Sequence, residues 1–352
     1  MSRKKDSAAS DRGLIYTLAQ NGTDRTGEEL TIVSGKGSDL NNQKALKGRA
    51  KRKVITQSMV LSLIDVVNQR GDLVRRKGYW NTYHCQSRIH TADGRLYGKY
   101  CKNRHCTLCA CIRKAKIINK YLPFIQSWPD PHFVTLTIRA RTLPNLVKFM
   151  AGMNKAFQKI YSKLKKRSQR GRGEKMMGIK SLECNFNPQT KKYNPHFHLI
   201  VPNKATGEIL INEWLRIWTP KYALRVGQKS ERVFSNQKAL IEVVKYGSKI
   251  FTEPDLSKQA KKTPGSAKIY AAALDNIFRA MKGMRIFERF GFNLPKTQTG
   301  FSNTTLVKGC KEWRFDIAQY DWIDQTGAKL SDYRPEVLLL HLLTNSIDTT
   351  TG

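Results

Sequence analysis

A chain of 352 residues can bury a full core and hold more than one module, and its 63 Lys+Arg against 27 Asp+Glu leave a formal net charge of +36. Such an excess repels itself unless a polyanion is the natural partner, which ranks nucleic acid ahead of ribosome association and an anionic membrane surface. No run of roughly 18 apolar residues is present to cross a bilayer, and no apolar signal core follows Met1-Ser2-Arg3-Lys4-Lys5-Asp6, so a cytoplasmic protein is expected. No Gly-x4-Gly-Lys-Ser/Thr loop occurs, so a fused P-loop helicase is not visible.

Residues 1–55 are polar and close on a basic run at 47–53. They read as a flexible basic arm that adds phosphate affinity, or as a solvated linker. Residues 56–78 form an adaptor helix on the spacing of Val60, Leu61, Leu63, Ile64 and Val67. Residues 79–125 hold Cys85, Cys101, Cys106 and Cys109 in the spacing C-x15-C-x4-C-x2-C. Clustered cysteines in a chain without an export signal favour a metal over disulfides, and two thiolates of a C-x2-C knuckle plus two more close a tetrahedral zinc site. His84, His105 and Cys111 are near enough to compete as ligands. Arg104, Arg113 and Lys114 surround the knuckle and mark a DNA-facing surface.

Residues 126–260 carry a second concentration of chemistry. Pro131-His132-Phe133-Val134-Thr135-Leu136-Thr137-Ile138-Arg139 alternates as a strand. A helix over 143–164 follows, then a basic loop at 165–173 whose Lys165, Lys166, Arg167, Arg170 and Arg172 are candidates to grip a DNA backbone. Residues 178–186 read as a strand that turns at 187–192 into Pro195-His196-Phe197-His198-Leu199-Ile200-Val201. Side chains in a strand alternate, so His196 and His198 share one face and make a two-point chelate for a divalent ion. Across the hairpin, Glu183 is the candidate third ligand, one of only six acids between 131 and 251. A helix at 211–223 presents Trp214 and Trp218 to the sheet, and a further helix places Glu242, Tyr246 and Lys249 on one face at i, i+4 and i+7. A tyrosine beside a lysine is a plausible nucleophile, since the ammonium favours phenolate. Residues 261–352 form a mixed C-terminal region: a helix at 269–281, a strand at 313–323 and a short apolar helix at 336–343.

In order, the Phe-Val-Thr-Leu-Thr strand, the His-x-His strand and the Tyr-x-x-Lys helix resemble the His-hydrophobic-His (HUH) endonucleases. The nearest resemblance is to plasmid rolling-circle replication initiators of the single-tyrosine-plus-glutamate type, over residues 80–295. It implies an α+β nuclease core: a central antiparallel sheet with helices behind it, ferredoxin-like or RNA-recognition-like, and the tyrosine helix over the open face. It implies Tyr246 as nucleophile, Lys249 as its electrostatic support, Glu242 as general base for a second cleavage, and Mg²⁺ or Mn²⁺ held by His196, His198 and Glu183. The partners it implies are origin DNA with a single-stranded nick site, a host helicase and the replication machinery of a prokaryotic cell. Two other readings stay open: a transposase or relaxase with the same chemistry, and a non-catalytic zinc-containing nucleic-acid binder.

Overall fold

The computed structural model describes residues 16–18, 31–32, 39–92, 94–187, 189–244, 269–294, 305–307, 310–337 and 347–348. The chain divides into two compact units, Met1–Ile112 with Lys296–Asn345, and Arg113–Pro295 with Ser346–Gly352.

In the first unit, helix Gln43–Gln69 is capped by Asn42, whose side chain accepts from the Ala45 N–H at 3.0 Å. The basic run at 47–53, expected in a flexible arm, lies inside this helix. The reason is that Leu46, Ala50 and Val54, all buried, extend the apolar stripe toward the N-terminus at a helical period, and the charges fill the positions between them. The expected single adaptor helix is also two: Gly71, at φ +66°, breaks it, and Asp72 caps the next helix, Leu73–Tyr83, through the Arg75 N–H. A hairpin, Arg88–Ala92 and Arg95–Gly98, then joins a five-stranded sheet completed by Thr31–Ile32, Lys311–Asp316 and Asp321–Ile323. Trp313 pairs opposite Ile89 and donates to Thr91 Oγ1 at 2.9 Å, while Trp322 donates to the Gln86 carbonyl at 2.7 Å. The C-terminal segment is therefore part of the cysteine module's sheet and not a separate region, and its one expected strand is two. The apolar helix expected at 336–343 falls largely outside the described residues.

The second unit is built on an antiparallel sheet in the order Phe287–Phe290, Gly178–Asn187, Lys192–Val201, His132–Thr137, Lys229–Arg232. With helices Leu143–Gln169 and Lys204–Ile217 the chain runs β-α-β-β-α-β, which is the expected ferredoxin-like α+β order with one added edge strand. One face of the sheet (Val134, Leu136, Leu182, Phe197, Leu199, Val201) packs on the helices through Met150, Met153, Phe157, Leu210, Trp214 and Ile277. Each such side chain contributes about 1.5–3 kcal/mol of burial, so this layer fixes which residues are left for the other face. Helix Leu143–Gln169 continues past Leu164, so Lys165, Lys166 and Arg167, expected in a loop, are helical. An apolar stripe ends there, but backbone hydrogen bonding needs no further apolar residue, and Lys and Arg are good helix formers.

Candidate functional site

The face turned away from the helices carries a polar row. Register places Glu183 opposite His196 and Ser181 opposite His198 on one side, and Thr137 opposite His196 and Thr135 opposite His198 on the other. Period-2 alternation thus brings three strands' side chains together. Glu183 Oε2 lies 2.9 Å from His196 Nε2 and 3.0 Å from His198 Nε2, and the three ligand atoms fall within 4.8 Å of one another. Glu183 and His196 are 4 % and 5 % exposed.

The donor set fits a divalent cation. His196 Nδ1 is 2.9 Å from the Asn194 carbonyl oxygen, which can only accept, so Nδ1 carries a proton and, in a neutral ring, Nε2 presents its lone pair to the Glu183 carboxylate. Two acceptors at 2.9 Å repel unless a proton or a metal stands between them. In an octahedral site with ligands at about 2.1 Å, neighbouring donors stand about 3.0 Å apart, the spacing seen here. Two imidazoles and a carboxylate form a donor set that several divalent ions accept.

A second layer of side chains orients this row. Thr135 Oγ1 lies 3.2 Å from His198 Nδ1, and Thr137 Oγ1 donates to Asn194 Oδ1 at 3.1 Å. Gln228 clamps the Thr137 backbone, accepting its N–H at 2.8 Å and donating to its carbonyl at 3.2 Å. The threonines were findable, because both fall on the histidine-facing parity of their strand. Gln228 carries no such local signal.

The far end of the same face is not open. Ile179 and Ile200 pack there with Tyr121, Ile125 and Trp128, and with Leu240 and Val243 of helix Asn236–Val244. Residue parity puts Ile179 on the side of Glu183 and Ile200 on the side of the histidines, so this helix lies over the face that bears the triad. Glu242 is one of its residues. Tyr246 and Lys249 lie outside the described residues, Tyr246 two positions past the helix end. The cover from Tyr121 and Ile125 corrects the expectation of a face otherwise bare of helices.

In the first unit, Cys85, Cys101, Cys106 and Cys109 converge, each sulfur within 4.8 Å of the others, with Cys85 and Cys101 both 3.6 Å from Cys109. None is in a disulfide. A tetrahedral Zn–S bond of about 2.3 Å implies sulfurs about 3.8 Å apart. The Cys101 and Cys109 N–H groups donate to Cys85 and Cys106 sulfur, each at 3.5 Å, while hydrogen bonding with Cys101, the largest cause, raises both of those thiols above their ordinary range. Hydrogen bonds from Cys106 first, then Cys109 and Cys85, hold the Cys101 thiol well below its ordinary range. Lys53, buried, fixes the segment that carries Cys85 by donating to the Tyr83 and Cys85 carbonyls at 2.7 and 2.8 Å. His105 turns to Thr82 Oγ1 at 2.8 Å, His84 stacks on Trp80, and Cys111 is exposed, so none of the three competitors joins the cluster.

Of the cationic candidates, Lys165, Lys166, Arg167, Arg170 and Arg172 are exposed together at the end of helix Leu143–Gln169 and in the turn after it. Arg104, Arg113 and Lys114 are half-buried beside or within helix Thr107–Gln126. Among the described residues no helix is long and apolar enough to cross a membrane.

A family model described as a replication protein matches residues 95–304. The chain is similar to a protein named "Protein rep" from Staphylococcus aureus, 32% identical over 42% of this chain and 69% of that protein. It is also similar to proteins of the same name from Bacillus amyloliquefaciens, at 29% over 42% of this chain and 50% of that one, and from Bacillus sp, at 27% over 44% and 59%. No solved structure matches the chain.

Proposed function

The chain belongs to the replication protein family, and on that premise we propose that it initiates rolling-circle replication by nicking and rejoining DNA through a tyrosine. The observation that carries this reading is the Glu183–His196–His198 triad on a sheet face crossed by the helix that leads into Tyr246.

Breaking a phosphodiester and resealing it later without ATP requires that the bond energy be stored, and a phosphotyrosine ester stores it. Tyr246 Oη, as the phenolate once its proton has passed to solvent, attacks the phosphorus at a single-stranded nick site. The bond from phosphorus to the 3′ oxygen breaks, that oxygen takes a proton from solvent, and the free 3′-hydroxyl primes synthesis while the 5′ phosphate stays on the tyrosine. Lys249 favours the phenolate or neutralises phosphate charge. Glu242 acts as general base for the terminating cleavage, taking a proton from water or a second hydroxyl. His196, His198 and Glu183 would hold Mg²⁺ or Mn²⁺, which supplies charge stabilisation at the scissile phosphate. Thr135 and Asn194 keep the two imidazoles aimed at that position. The four cysteines would hold Zn²⁺ as a structural staple. Origin DNA, a host helicase and the replication machinery of a prokaryotic cytoplasm are the partners this reaction needs.

The test is a denaturing gel after incubation with end-labelled single-stranded origin DNA and Mn²⁺. A covalent adduct that disappears in Tyr246→Phe supports the reading. A wild-type protein that binds the DNA but forms no adduct leaves a non-catalytic binder in its place.

A further inference from the structure

At the outer edge of the second unit's sheet, strand Phe287–Phe290 and the residues after it face the end of helix Leu143–Gln169 across a cavity of about 570 Å³. Ligand sites fall at roughly 300–1,000 Å³. The cavity stands two strands from the histidines in sheet order. Its walls include Phe157, Met176 and Phe290 of the helix-side core, so it opens on the side opposite the metal triad.

Its lining separates into three chemistries. Lys165, Lys175 and Arg289 stand around it, all exposed. Tyr161, half-buried, gives it ring surface, whereas the Phe292 ring at its rim is stacked on Phe124 at 4.2 Å. The side-chain amides of Gln158 and Gln169 add paired donors and acceptors. One acid, Glu288, also lines it, but its carboxylate is drawn to Lys180 Nζ at 2.7 Å. That ammonium is 2 % exposed and lies 4.6 and 4.1 Å from the ring centres of Phe157 and Phe197. The pair cancels, and the cavity keeps the charge of its three exposed cations. Gly291, at φ +77°, brings its backbone against Met176, where a Cβ would overlap the Met176 carbonyl oxygen.

We propose that this cavity is an accessory site for one unpaired nucleotide of single-stranded DNA. Lys165, Lys175 and Arg289 take the flanking phosphates, Tyr161 takes the face of the base, and the glutamine amides take its edge. Cations beside a ring and amides match a nucleotide, and a base can meet a ring only when it is out of the duplex stack. The site rests on the reading of the chain as a DNA-processing protein and is independent of the phosphotyrosine chemistry.

The test is fluorescence anisotropy of a labelled oligothymidylate, across a salt series, with zinc-loaded protein and no added Mg²⁺ or Mn²⁺. Lys165→Ala/Lys175→Ala/Arg289→Ala is compared with Lys191→Ala/Lys192→Ala/Lys204→Ala, a charge-matched control away from the cavity. Losing three phosphate contacts should lower the slope of log affinity against log salt by about 2 and weaken binding by about tenfold at moderate salt. Ser168→Trp, which fills the cavity and leaves its charge intact, should weaken the intact oligomer but not an abasic one. Cavity variants that bind as the control does, or wild-type protein that binds intact and abasic oligomers alike, overturn the proposal. So does free thymidine monophosphate displacing the oligomer at concentrations near the oligomer's own, which would make the site a free-nucleotide pocket. Adduct formation with Mn²⁺ is read separately: a normal adduct in Ser168→Trp with unchanged binding sinks only the accessory site.

Discussion

Replacing Glu183 by Gln keeps the shape of the side chain and removes the charge that lies 2.9 and 3.0 Å from the two imidazole nitrogens. If the three residues hold a divalent ion, Gln loses the strongest oxygen donor and affinity should fall by at least the upper end of outer-shell effects, about 100-fold. At a Mn²⁺ concentration about 100 times the wild-type Kd, binding stabilises the native protein by about 2.7 kcal/mol. For a unit of this size, about 2–4 °C per kcal/mol turns that into a rise in Tm of about 5–11 °C. For Glu183→Gln at the same concentration the ratio of ion to Kd is near one, the gain is about 0.4 kcal/mol, and the rise is about 1–2 °C. Differential scanning calorimetry of zinc-loaded protein, with and without MnCl₂, reads the difference. An equal Mn²⁺-dependent rise in both proteins refutes the assignment of Glu183 as a ligand and leaves it a strand acid beside two histidines.

Other consequences follow from particular contacts. Thr135→Val removes the hydroxyl 3.2 Å from His198 Nδ1 and should weaken Mn²⁺ binding by about 10-fold by calorimetric titration, with the fold retained. Cys106→Ser should cost one equivalent of zinc by elemental analysis and expose residues 79–112 to protease, because structural zinc supplies folding free energy directly. Lys53→Met leaves the Tyr83 and Cys85 carbonyls without their buried donor and should destabilise by about 3 kcal/mol or more in urea unfolding. Burial depresses the Lys180 ammonium below its ordinary range, against the opposing pull of Glu288. The cost of burying that charge is present at neutral pH and is relieved as pH climbs from the lowered folded value toward about 10.4, so wild-type stability should rise relative to Lys180→Met over that climb. A difference that does not change with pH contradicts this assignment.

The sheet and its triad were legible because both rest on a two-residue period. Alternation alone placed His196 and His198 together, and the short turn at 187–192 put Glu183 across from them. Helix limits were harder to read. At 47–53 and 165–169, Lys and Arg outnumber the apolar positions, yet Leu46, Ala50, Val54 and Leu164 suffice to bury one side of each helix. Long-range pairing had no local signature at all. Strand Lys311–Asp316 finds Arg88–Ala92 more than 200 positions earlier, and Tyr121 and Ile125 cover Ile179 and Ile200 although nothing near them in the chain points to that contact. The orienting side chains divide the same way, Thr135 visible from its strand parity and Gln228 only from its fold neighbours.

The reaction scheme is tested most directly by mass spectrometry of the peptide that carries DNA after incubation with single-stranded origin DNA and Mn²⁺. The account predicts a nucleotide-bearing peptide with the added mass on Tyr246, absent when His196 and His198 are both replaced by Ala. An adduct mapped to another residue, or one that persists without the two histidines, contradicts it.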